Sequence, residues 1–349
     1  MTLRPRSLPA LSLLAALLVA VAVLSAGSGA VSIPPGEIAA ILLRRAGVDA
    51  GAAIDPTHEA VLLAIRIPRV LLGALVGSGL AVSGALLQGL FRNPLADPAL
   101  LGVSAGGALA AAIGIVAGAT SLGVASAFAL PLAAFAGGVA TAAVVWRVAT
   151  SRASGAPAPG TLLLAGVAVN ALAGAGLGVV TFVASDEEIR SLAFFSLGSL
   201  SGATWTVVAA AGPFALAPVL LASRLARPLD ALLLGEREAR HLGVDVGFVG
   251  KATVALAALA TGAGVAAAGI VGFVGLVVPH LVRLVAGPGH ALLLPASALL
   301  GATLVLAADL VARTVAVPAE LPLGVVTALA GAPFFLYLLR RSGAAARTA

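Results

Sequence analysis

The stretch RIPRVLLGALVGSGLAVSGALLQGLFRNPLADPALLGVSAGG, residues 66–107, holds the pattern that decides the fold. From Ile67 to Leu90 it is apolar and free of charge apart from Arg69 near its start. A hydrocarbon layer of about 30 Å needs roughly 20 such residues as a helix, so this segment spans it. Gly73, Gly77, Gly79 and Gly84 supply small-residue surfaces through which another helix backbone approaches closely. The polar turn RNPLADP follows, in which Asp97 reads as an N-cap and Pro98 as a first-turn proline, and apolar character then resumes. Two apolar helices joined by a short polar turn are the repeating unit of a polytopic membrane protein.

Outward from this unit, the composition agrees. Of the 349 residues, 60% are hydrophobic and 10% charged, where a soluble domain carries about a quarter charged residues. The pattern predicts an all-α polytopic protein forming one transmembrane domain over residues 1–349, with ten apolar segments at about 8–30, 67–90, 98–118, 124–147, 160–184, 203–223, 247–270, 273–286, 291–312 and 321–340. The eighth is short and contains Pro279, which predicts a broken or strongly tilted helix with its freed backbone buried in protein. Residues 185–202 read as an external loop with a short helix. Gly262, Gly264 and Gly269 suggest a second packing surface in the seventh segment.

Basic residues set the orientation. With the N-terminus inside, Arg4, Arg6, Arg92, Arg147, Arg152, Arg224, Arg227, Arg237, Arg240, Lys251, Arg283, Arg340, Arg341 and Arg347 face the cytoplasm, 14 of the 20 cations. Arg44, Arg45, Arg66, Arg69, Arg190 and Arg313 remain outside, and both termini are cytoplasmic. Scattered at segment ends rather than gathered in a stripe, these cations indicate membrane anchoring and not nucleic-acid binding. The first 30 residues also read as a signal peptide, with small residues near Ser28 and Ala30, although the apolar body is long enough to span and favours a retained helix.

Several chemistries are excluded. There are no cysteines, hence no thiolate metal site. GAGLGV (174–179) lies inside a span without the strand and helix context of a nucleotide-binding turn. DVGFVGKA (245–252) has Asp245 in place of the first glycine of a phosphate-binding loop and Ala252 in place of its Ser or Thr, so the chain carries no ATPase site and no catalytic residue. Asp309 is the one acidic group resembling an ion-relay residue, and an ion pair with Arg313, four residues on, explains it more simply. His58 lies outside, while His241, His280 and His290 fall in or beside cytoplasmic loops. No ladder of metal ligands crosses the membrane, which suits a bulky, already chelated cargo better than a bare metal ion.

The densest charge in the chain is LLLGEREARHLGVDVG, 232–247. It reads either as a solvated helix held by Glu–Arg pairs or as a docking element, with Leu232, Leu233, Leu234, Ala239 and Leu242 forming an apolar face, charges fixing register and Gly243 ending the helix. This loop, about 228–246, resembles the coupling loop of ABC importer permeases. The resemblance extends through 66–107, through GFVGLVVPHLVRLVAGPGHALLLPASALLGATLVLAADLVAR (272–313) and through ELPLGVVTALAGAPFFLYLLRR (320–341), and it is to the FecCD-type permeases that import iron-siderophores, haem and vitamin B12. It implies the type II importer permease fold in the bacterial inner membrane, a homodimer of ten-helix subunits, two ATP-binding-cassette ATPase subunits and a periplasmic substrate-binding protein. ATP and magnesium would then reside on the ATPase, and this chain would hold no cofactor.

By the same resemblance, Glu236, Arg237, Glu238, Ala239, Arg240, His241, Leu242 and Gly243 couple to the ATPase. Arg66, Arg69 and Arg313 meet acidic groups of the binding protein, and snorkelling toward lipid headgroups is the plainer alternative. Asn93 and Leu95 match positions near the inner mouth of the pathway, equally readable as a plain turn. The fifth segment resembles the pore-lining helix, with Asn170 facing the pathway or bonding a neighbouring helix. FFSLGSLSGATW (194–205) is similar to haem importers, which places haem first as cargo, siderophore next and cobalamin as the alternative. An ion-gradient-driven carrier and a purely structural scaffold are the competing classes.

Overall fold

The computed structural model describes residues 7–48, 51, 54–118, 126–150 and 159–345. Arg4, Arg6, Arg152 and Arg347, used above for orientation, lie outside the described residues. In chain order the helices are α1 (Ser7–Gly27), α2 (Pro35–Arg45), α3 (Pro56–Val61), α4 (Ile67–Leu90), α5 (Val103–Val116), α6 (Ser126–Ala149), α7 (Pro159–Val183), α8 (Asp186–Leu197), α9 (Trp205–Ala222), α10 (Ala226–Leu232), α11 (Glu236–His241), α12 (Val246–Ala268), α13 (Val274–Ala286), α14 (His290–Thr314) and α15 (Leu323–Ala345). Among the described residues, seven helices are long and apolar enough to cross a membrane, and three shorter apolar ones, α5, α13 and the first part of α15, fall on the remaining expected segments.

The helices sort into a centre and a periphery. The α3–α4 helix has 72% of its apolar stretch buried, α12 61% and α14 56%, whereas α1 has 6%, α7 17% and α6 22%. α4 is the hub, packing against α14, α12, α9 and α13. Lipid tails are as apolar as leucine, so burial of area does not draw these helices together; close backbone approach and internal hydrogen bonds do. A Cβ at Gly77 would overlap the Gly301 carbonyl on α14, and one at Gly84 would overlap the Gly275 carbonyl on α13. Between these notches the Ser83 hydroxyl donates to the Ala257 carbonyl (3.1 Å) and shares a 2.9 Å hydrogen bond with Thr261, joining α4 to α12. The expected packing role of the α4 glycines therefore holds at Gly77 and Gly84.

Four expectations change in detail. The second apolar segment begins earlier, because α3 continues through a π-helical turn, Leu62–Arg66, directly into α4. Asp97 does cap and Pro98 does open a helical turn, with the Ala99 N–H donating to Asp97 at 2.7 Å, but the turn is a short 3-10 helix, Pro98–Leu101, and α5 starts only at Val103. α13 runs unbroken through Pro279; its length of 13 residues comes from a late start after the non-helical stretch at 270–272 and Phe273 at φ +66°. Gly269 has a second role besides the expected packing notch: with φ +67° it ends α12, and a Cβ there would overlap the Phe195 carbonyl of α8.

Short elements close the two ends. α2 and α3 cover one end, where the Glu37 carboxylate accepts from the Asp55 backbone N–H and lies 2.8 Å from His58 Nδ1. The expected short helix of the loop at 185–202 is α8, started by a capping box in which Ser185 and Glu188 satisfy each other's backbone N–H groups. α10 and α11 cover the opposite end, beside the starts of α12 and α14.

Candidate functional site: two charged ends

The charged loop folds into a short, firmly seated element. Its inner side is apolar: Leu229, Leu232 and Ala239 are buried in one cluster with Ala226, Val246 and Val249. The end of α11 has the bonding pattern that glycine favours. The Gly243 N–H donates to the Arg240 carbonyl and the Val244 N–H to the Ala239 carbonyl, both at 3.0 Å, with Gly243 at φ +81°. Asp245 then caps α12 by accepting from the Phe248 N–H at 2.9 Å. The loop is thus a rigid projection of the helix core.

Its outward face differs from the expected one by two residues. Leu232 and Ala239 point inward, because α11 has to rest on α10 and α12, while Leu233, Leu234 and Leu242 are exposed, the last two by about two-thirds. Arg237, Glu238, Arg240 and His241 stand exposed around them. Glu236 and Arg240 approach to 3.5 Å on one helical face. The resulting surface is a small apolar patch ringed by charge of both signs, chemically suited to a partner protein.

α10 is also tied to the long helix α14. Asp230 Oδ1 accepts from the His290 backbone N–H at 2.8 Å and lies 2.7 Å from His290 Nδ1. The His290 ring is fully buried against Gly89 at the end of α4. Asp230 therefore supplies, from another element, the side-chain cap that Gly289 cannot give α14. Sequence reading passed over this contact, since 60 residues separate its partners.

At the other end of α4 and α14 the three expected docking arginines lie close together, Arg66 and Arg313 buried and Arg69 largely so. Arg69 forks onto Asp309 (Nε to both oxygens at 3.1 Å, Nη2 at 2.8 Å) and onto Glu320 (3.0 and 2.9 Å). Arg313 has its Nε 3.4 Å from Asp309, and its Nη groups donate to Ser25 and to the Ser28 carbonyl of α1 and the turn after it. Arg66 lies against Gly29. The Asp309–Arg313 pair foreseen from spacing exists, but the main partner of Asp309 is Arg69, 240 residues away. Here Arg69 joins α4 to α14 and Arg313 joins α14 to α1 instead of standing free at the surface. α1 is accordingly part of the fold, since its end provides acceptors for Arg313.

The pathway candidates separate. Asn93 accepts from the Leu95 N–H at 2.9 Å in a turn, both residues being exposed. Asn170 donates to the Ala99 carbonyl at 3.0 Å, which joins α7 to the turn after Asp97. This is the bond to a neighbouring element that the sequence allowed for Asn170. The rest of α7 presents Leu164, Leu172, Val179 and Phe182 outward, Phe182 at 90% exposure.

This architecture is found in known proteins. A haemin transport system permease protein of Yersinia pestis is 44% identical over 281 residues, 80% of this chain and 83% of that one. A cobalamin import system permease protein of Halobacterium salinarum is 47% identical over 289 residues, 82% and 75% respectively. A solved structure described as an inward-facing conformation of a metal-chelate type ABC transporter superposes with a TM-score of 0.81 at 32% identity, covering 95% of this chain and 98% of that one. Residues 17–341 match the model of the FecCD transport family, and with two hub notches, a seated charged loop and this similarity in hand, the chain belongs to that family of transport permeases.

Proposed function

We propose that this chain is the membrane-spanning permease of an ATP-driven importer for a bulky chelate, haem first. It works as a homodimer of ten-span subunits in the bacterial inner membrane, with two ATPase subunits at the α10–α11 end and a periplasmic binding protein at the arginine end. The observation that carries this reading is the α10–α11 element: apolar inside, charged outside, and fastened to α14 through Asp230 and His290. An element so fastened passes a push at its outer face into the helix core, because packed interiors deform little and shift as units. The weakly buried face of α7 supplies a surface for the second copy or the pathway. Asn93 and Leu95 border the exit, and Glu236 to Gly243 contact the ATPase, Ala239 indirectly as the residue that seats α11.

Haem is favoured by the sequence at 194–205 and by the haemin permease among the relatives. Cobalamin is the second reading, supported by the Halobacterium salinarum relative of slightly higher identity; siderophores share the same bulk and chelate chemistry. The deciding experiment reconstitutes the chain in proteoliposomes with candidate ATPase and binding-protein partners and measures ATP hydrolysis and uptake for each cargo. Haem is expected to stimulate both, and Leu234→Asp with Leu242→Asp to abolish stimulation while the dimer stays intact. Uptake driven by an ion gradient without ATP would overturn the proposal.

A further inference from the structure

Three helices meet where the rings of Phe135 on α6 and Phe214 on α9 pack at a centroid distance of 5.0 Å over α12. Toward the start of α12 they part. One groove of about 410 Å³ is walled by α6 and α12 alone, and another of about 480 Å³ by α12, the turn Gly243–Asp245 before it, Pro228 of α10, and Leu221, Arg224 and Leu225 at and just after the end of α9. Ala255 lines both and is the ridge between them. The two grooves flank α12 on either side of Ala255, apolar along most of their lining and basic toward the α10–α11 end.

The open end is cationic. Arg147 and Lys251 stand in the first groove and Arg224 in the second, all three exposed. Among the described residues, the one carboxylate lining either groove is Asp245 in the second, which caps α12 and leaves the first groove with cations alone. Trp146 lies beside Arg147, the placement an indole takes where hydrocarbon meets headgroups. α6 and α9 each have only 22% of their apolar stretch buried, so the chain itself leaves this cleft open.

We propose that the cleft binds one anionic phospholipid, its two acyl chains lying in the two grooves astride Ala255 and its phosphate held between Arg147 and Lys251 with Arg224 adjacent. Two apolar arms sharing one ridge match a two-chain lipid, and three cations against the single carboxylate of Asp245 leave a net positive charge that selects an anionic headgroup. A zwitterionic headgroup brings its own ammonium into this field and gains less from it. The inference does not depend on which cargo the protein carries.

The test is native mass spectrometry of the purified full chain, released from neutral detergent and titrated with phosphatidylglycerol or with phosphatidylcholine of identical acyl chains. Phosphatidylglycerol is expected to be retained preferentially as the first bound lipid. Arg147→Gln and Lys251→Gln, both at exposed positions, should each lower that preference about fivefold. Ala255→Trp, which leaves charge untouched and fills the ridge between the arms, should lower retention of both lipids. Arg92→Gln, an exposed cation at the same end but outside the cleft, should change nothing. Equal retention of the two lipids by the unaltered chain overturns the proposal, as does an Arg92→Gln effect as large as that of Lys251→Gln, which would reduce the preference to general surface charge.

Discussion

The two ends of the molecule use the same side chains to opposite purposes. At the arginine end, Arg69 is 11% exposed and Asp309 2%, and their bond joins α4 to α14. At the α10–α11 end, Arg240 is 56% exposed and Glu236 36%, and their contact joins a helix only to itself. A charge removed from water must be matched by an opposite charge and by hydrogen bonds, so the buried set holds its helices in one arrangement. A charge left in water costs little to keep and little to lose, so the exposed set is free to be matched by something else. Ion pairs alike in composition thus act as clamps where buried and as an open face where exposed.

The strongest way to break this comparison is Arg69→Ala. It leaves Asp309 buried beside Glu320 with Arg313 at 3.4 Å as its remaining cation, and breaking a buried pair costs up to about 3–5 kcal/mol. Thermal unfolding of the detergent-purified chain should show a large fall in melting temperature, only partly recovered by Arg69→Lys, which cannot fork. A melting temperature equal to the wild type would mean that the clamp contributes nothing.

Asp230→Ala comes next and tests whether the α10–α11 end also contains a buried joint. Its loss leaves the His290 backbone N–H without its acceptor inside the protein, at about 1–3 kcal/mol. If Asp230 serves as the joint between α10 and α14, hydrogen exchange should rise at the start of α14 and in α10 together; a rise in α10 alone would separate them.

Smaller still is Glu236→Ala. An exposed pair four residues apart on a helix contributes about 0.3–0.5 kcal/mol, so stability should hardly move while ATPase stimulation in the reconstituted complex falls. Equal losses in both measurements would erase the distinction between the two ends.

The smallest effect is a pH dependence at the arginine end. The Asp55 backbone N–H and, after it, His58 hold the Glu37 carboxylate below its usual range. A carboxylate with a lowered folded-state pKa stabilises the protein above its unfolded value and loses that contribution as pH falls through the folded one. The α2–α3 segment should therefore loosen in acid, below the ordinary carboxylate range, and Glu37→Gln should remove the pH dependence. Hydrogen exchange of residues 35–45 across that range measures it.

What could be read from the chain alone follows from local physics. A run of apolar residues long enough to cross a hydrocarbon layer is legible wherever it occurs, and so are Asp97 with Pro98, Ser185 with Glu188 in the loop helix, and Gly243 at the end of α11, because each motif closes within a few residues. Whether a side chain on such a helix faces in or out is set by neighbours distant in sequence. Ala239 and Leu232 turned inward because they pack in one cluster with Val246 and Val249 of α12, and Arg69 and Arg313 were drawn in because Asp309 on α14 and Ser25 and Ser28 at the end of α1 are brought to them. Residues 66–107 carry enough apolar length to dictate membrane helices, and only packed tertiary contacts, closing loops of 60 to 288 residues, decide which charges become clamps and which stay available.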